Sequence, residues 1–93
     1  MMPLYIFSPE KNLTLIIERN ISFDEVIAAI GNDQVLDIIE HPNQKKYGNQ
    51  KIFVVYVKGY VYLVPFVIDE NGDFFLKTII PSRKAKQKYI QEK

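Results

Sequence analysis

Ninety-three residues hold one small domain with a single core and leave no room for two. Hydrophobic residues at 47% and charged ones at 25% exclude a disordered or fibrous chain, and the absence of cysteine excludes disulfides and thiolate metal sites. A net charge of only +1 argues against long, non-specific wrapping of nucleic acid.

That small total hides an asymmetry. Residues 1–40 carry two basic and seven acidic side chains, −5, whereas residues 41–93 carry ten basic and four acidic, +6. One anion-seeking face is the expectation. No repeat, low-complexity tract or linker interrupts the chain, so residues 1–93 read as a single domain. The N-terminus lacks a basic leader, and no stretch approaches the roughly 18 apolar residues of a membrane span. The sequence therefore predicts a cytoplasmic protein without a membrane partner.

In chain order, Ser8 and Pro9 read as an N-cap and first helical residue, and Leu13, Ile16 and Ile17 give an apolar stripe at helical spacing up to about Arg19. Asn20 suits a left-handed C-terminal position. A second helix starts at ISFDEV: Ser22 and Glu25 form a capping box, Ile21 and Val26 a hydrophobic staple, with Val26, Ile27 and Ile30 toward the core and Gly31 as the stop. VLDIIE reads as a strand ending near His41, before Pro42, and KYGNQ as a turn.

KIFVVYV and YVYLVPFVI, joined by Lys58 and Gly59, predict a two-residue hairpin. Pro65 has no N–H for a ladder, which demands an edge or a bulge there. DENG turns the chain into DFFLKTII as the next strand, and a short helix follows from Arg83. The expected fold is α+β: two N-terminal helices, a twisted four-stranded antiparallel sheet and a short C-terminal helix, with the helices laid on one face of the sheet. Both faces of the middle strands are apolar, more surface than two short helices cover. A protein partner is the expectation.

FLKTIIPSRKAKQKY, Phe75 to Tyr89, holds five basic residues: Lys77, Arg83, Lys84, Lys86 and Lys88. Ser82 is placed to cap the helix, which puts Arg83 and Lys84 in its first turn. Cations there oppose the helix dipole by about 0.3 to 1 kcal/mol each. A bound anion would reverse the sign, and the planar fork of Arg83 suits phosphate oxygens. Lys77 lies near enough along the chain to contribute, although charge runs ordinarily mark a solvated face.

His41 is the single histidine and the one group whose ordinary pKa suits proton transfer near neutrality. It sits in EHPNQKK beside Lys45 and Lys46, where a structural, hydrogen-bonding role is the alternative. Tyr89, Tyr47 and Tyr56 pair an aromatic face with a hydroxyl, and Tyr89 is favoured by its lysine neighbours. The scattered acids Asp24, Glu25, Asp33, Asp37 and Glu40 show no metal-ligand spacing, and no cofactor-binding fingerprint is present. Metal-free acid–base chemistry is what the residues leave open for an enzyme.

EKNLTLIIERNISFDEVIAAI resembles the start of BrnT-type toxins, where lysine and asparagine open a helix that ends just before a Val/Ile-Ser-Phe-acid-Glu helix start. FLKTIIPSRKAKQKY resembles that family's closing strand and basic helix. The two segments bracket nearly the whole chain. The resemblance implies a RelE/ParE-like fold, a metal-independent ribonuclease activity on RNA, no cofactor, and a cognate antitoxin as partner in a heteromeric complex. By motif it carries over Lys11 and Arg83. The chain departs from the family at Phe7 (tryptophan there), Ser8 (acidic there), Arg19 and Asn20 (a His-Gly pair there) and Pro81 and Ser82 (Ser-Ala there). A non-enzymatic binding module of the same fold is the alternative function.

Overall fold

Short-range signals set the helices of the computed structural model, which describes residues 4–90. Ser8 accepts from the Lys11 backbone N–H at 3.2 Å and Pro9 opens α1, Pro9–Arg19, which closes on Asn20 in the left-handed region at φ 55°. Ser22 and Glu25 complete a reciprocal capping box at the start of α2, Phe23–Gly31, and the staple residues Ile21 and Val26 are fully buried. Gly31 is still helical; Asn32 caps the helix and Asp33 takes the positive φ of 63°. The stop thus comes later than glycine chemistry predicts.

The sheet has six strands rather than four, and it is mixed rather than purely antiparallel. Its path is β1 (Tyr5–Ile6), β5 (Phe74–Leu76), β4 (Tyr60–Ile68), β3 (Gln50–Val57) and β2 (Val35–Glu40), with β6 (Ile80–Pro81) also on β4. β1 runs parallel to β5, and the other pairs are antiparallel. Lys58 and Gly59, at φ 54° and 76°, make the expected tight hairpin between β3 and β4. KYGNQ is only partly a turn: Gln44–Tyr47 winds into one helical turn, α3, capped by Asn43.

Pro65 explains why DFFLKTII is not one strand. Its carbonyl accepts from the Lys77 backbone N–H at 2.8 Å, so the edge of Pro65 that lacks a donor faces β5 and β6. Between the pairs Leu76–Phe66 and Ile80–Leu63, the three residues 77–79 oppose the two residues 64–65. One extra residue is bulged out where the ladder cannot close. The freed carbonyl of Ile79 accepts instead from Arg19 Nη1 at 2.6 Å.

The helices are not all on one face. Leu15, Phe23, Val26 and Ala29 from α1 and α2 pack on Phe53, Val55, Val64, Phe66 and Leu76. The final helix α4, Arg83–Tyr89, lies on the opposite face, where Ala85 and Tyr89 meet Val54, Val61, Leu36, Ile39 and Leu63. A strand that alternates apolar residues on both sides requires two coverings, and the chain supplies one at each end. The stripe of α1 is also not its core face: Leu15 is 1% exposed, whereas Leu13, Ile16 and Ile17 are 61%, 41% and 82% exposed. Among the described residues no helix is long and apolar enough to cross a membrane.

Candidate functional site

β6 ends at Pro81, and α4 turns back across the sheet face that α1 and α2 leave open. Both of its ends are tied down. At the start, the Ser82 N–H donates to the Val61 carbonyl at 3.0 Å while Ser82 Oγ accepts from the Ala85 N–H at 3.0 Å. At the end, the Tyr89 hydroxyl donates to Asp37 Oδ2 at 2.7 Å. The helix is short, so these attachments rather than its own propensity hold it in place.

Ala85 faces the sheet. At about 100° per residue, Arg83 falls roughly 160° from Ala85 and points outward, Lys84 and Lys88 line one flank, and Lys86 lines the other. Lys86 Nζ sits 5.4 Å over the Tyr60 ring, which meets Tyr62 edge to face at 5.7 Å. The one ion pair among the described residues is Lys58 with Glu25, on the other side of the molecule. Arg83, Lys84 and Lys88 therefore have no carboxylate partner among those residues. A cleft of about 180 Å³ opens beside the Lys84–Lys88 flank, with Ile39, Val54, Leu63 and Ala85 as its floor.

The hydrogen bond to Asp37, with smaller contributions from burial and the carboxylate's charge, raises the Tyr89 pKa above its ordinary 10.0. The hydroxyl is thus a proton donor at neutral pH. Asp37 Oδ1 accepts from the Ile38 N–H at 2.8 Å, so both carboxylate oxygens are engaged.

Of the residues singled out by sequence, Ser82, Arg83, Lys84 and Tyr89 come together on α4. Lys77 lies at the bulge on the same sheet face, its ammonium 5.3 Å over the Phe75 ring. His41, Lys45 and Lys46 form a separate group around α3. There the His41 ring packs at 4.4 Å on Tyr47, its Nδ1 accepts from the Asn43 N–H at 3.1 Å, and Lys46 Nζ sits 5.1 Å over Tyr47. His41 is level with Gln50, whose carbonyl accepts from its N–H, whereas α4 starts level with Val61 and hence Tyr56. Six residues of strand make that about 20 Å.

His41 thus serves the α3 turn and cannot share one phosphate with Arg83. Lys11 belongs to α1, on the opposite face of the sheet. Sequence reasoning passed over Asp37, counted only as a scattered acid. The signal was its alternation with Ile39, which places both on the face that α4 covers. Among the described residues no three His, Asp or Glu side chains gather as a metal-ligand set.

The architecture defines an α+β protein whose helix α4 carries Arg83, Lys84, Lys86, Lys88 and Tyr89 over a largely apolar sheet face. Compared with known proteins, the chain matches no family model, no curated relative and no solved structure.

Proposed function

We propose that the chain is the toxin of a toxin–antitoxin pair, BrnT-type and RelE/ParE-like, which arrests growth as a metal-independent endoribonuclease and is neutralised by its antitoxin. The observation that carries this reading is the basic helix: α4 is anchored at both ends yet leaves Arg83, Lys84 and Lys88 without carboxylate partners among the described residues. Exposed cations on a fixed helix suit a polyanion better than an internal role, and Tyr60, Tyr62 and Tyr89 add rings on which bases can stack.

Cleavage without metal needs a group to take the 2′-hydroxyl proton, charge stabilisation at phosphorus, and a donor for the leaving 5′-oxygen. In this reading Arg83 serves the phosphorus. The exposed stripe of Leu13, Ile16 and Ile17 supports a protein partner for α1. Incubation of the purified protein with RNA in EDTA is the test. Cutting is expected, slowed about 100-fold in Arg83→Ala. No cutting, or equal cutting by both proteins, overturns the reading.

The distance of His41 and Lys11 from α4 favours a second reading, a binding module of the same fold that inhibits a protein target or only binds an antitoxin. Growth arrest with intact RNA would select it.

A further inference from the structure

The cleft beside α4 is built unlike the rest of the basic surface. Its floor is apolar: Val54 is fully buried and Ala85 is 8% exposed, with Ile39 and Leu63 beside them. Its rim carries two ammonium groups, Lys84 and Lys88, which are exposed and stand one helical turn apart on the same flank. At about 180 Å³ it holds one ring or one branched side chain, since cavities of roughly 150 Å³ accept benzene.

A phosphodiester chain matches the rim but not the floor, because nothing on its backbone is apolar enough to repay burial against isoleucine, valine and leucine. An apolar side chain flanked by carboxylates matches both. We infer that this cleft docks an acidic segment of a protein partner, which inserts a leucine- or phenylalanine-sized side chain between Leu63 and Ala85 and sets carboxylates against Lys84 and Lys88. The inference rests on the partner half of the reading above. It also gives neutralisation a physical form: a segment seated there covers one flank of α4 and adds negative charge beside Arg83.

A fluorescently labelled heptapeptide with a central leucine among aspartates, titrated with the full chain and followed by anisotropy, is the test. Binding is expected to weaken at least tenfold in Lys84→Glu/Lys88→Glu and at least fivefold when the peptide leucine becomes serine. It should change less than twofold in Lys45→Glu/Lys46→Glu, which alters net charge equally at α3, outside the cleft lining. Circular dichroism confirms that each variant is folded. Absence of peptide binding, or equal loss in both double variants, overturns the inference. Because the readout is peptide binding, it can fail while RNA cleavage succeeds, and the reverse.

Discussion

Arg19→Ala is expected to destabilise the protein far more than its position at an exposed helix end suggests. The chain of causes starts at Pro65, whose missing N–H breaks the ladder between β4 and the following strand. The break bulges residues 77–79 and leaves the carbonyl of Ile79, a residue with no exposed surface, without a strand partner. The Arg19 guanidinium satisfies it at 2.6 Å. A hydrogen bond from a charged donor contributes about 1.5 to 3 kcal/mol, and the partly exposed setting favours the lower half, about 1.5 to 2 kcal/mol. With unfolding entropy near 2.1 cal/mol/K per residue, 93 residues give about 0.2 kcal/mol/K, so the expected drop in Tm is about 7 to 10 °C. Calorimetry measures it. Arg19→Met keeps the apolar stem and should lose nearly as much, which separates the hydrogen bond from packing. Amide exchange should also quicken at residues 77–80. A Tm within 2 °C of the parent in both variants would refute the reasoning.

Ser22→Ala removes half of the capping box and should cost about 1 kcal/mol, or about 5 °C in Tm. The Glu25 carboxyl is held below its ordinary 4.5 chiefly by Lys58 at 2.6 Å, against an opposing effect of burial that ranks second, with the Ser22 hydrogen bonds adding smaller lowering effects. A depressed carboxyl stabilises the fold above its unfolded pKa, so this contribution is lost as pH falls below about 4.5; solvent exposure of the pair keeps it small. Stability measured from pH 6 to 3 should fall less in Glu25→Gln than in the parent. Leu15→Ala should cost about 2 to 5 kcal/mol, whereas Ile17→Ala, at an 82% exposed site, should stay within about 0.5 kcal/mol by denaturant melts. For Tyr89, the raised pKa means that the protonated hydroxyl stabilises the fold below pH 10 and that this contribution fades as pH rises further. Tyr89→Phe should remove a tyrosine that titrates above its ordinary 10.0 from the ultraviolet absorbance curve.

What the sequence revealed was whatever is written within a few residues. Ser8–Pro9, the Ser22–Glu25 box, the Lys58–Gly59 hairpin and the Ser82 cap all close hydrogen bonds or turns over at most three positions, and each stands where its signal predicts. What escaped it depends on distant partners. The α1 stripe is legible as a stripe, but spacing alone does not say whether a core or a partner meets it, and Leu15 alone turned inward. Pro65 required an irregularity without saying which neighbouring strand would absorb it. The placement of α4 follows from Tyr89 meeting Asp37, 52 positions away, a contact that no local pattern announces. The same tie fixes where the site lies: Ser82, Arg83, Lys84 and Tyr89 share α4 and its cap, and His41 and Lys11 sit elsewhere.

The most direct measurement is the salt dependence of binding between the full chain and a short single-stranded RNA, with Arg83→Ala in parallel. If α4 neutralises phosphates, log K should fall linearly with log salt, and losing one contact should reduce the slope by about 0.7. Binding that ignores salt, or identical slopes for the two proteins, would contradict a phosphate-binding role for Arg83.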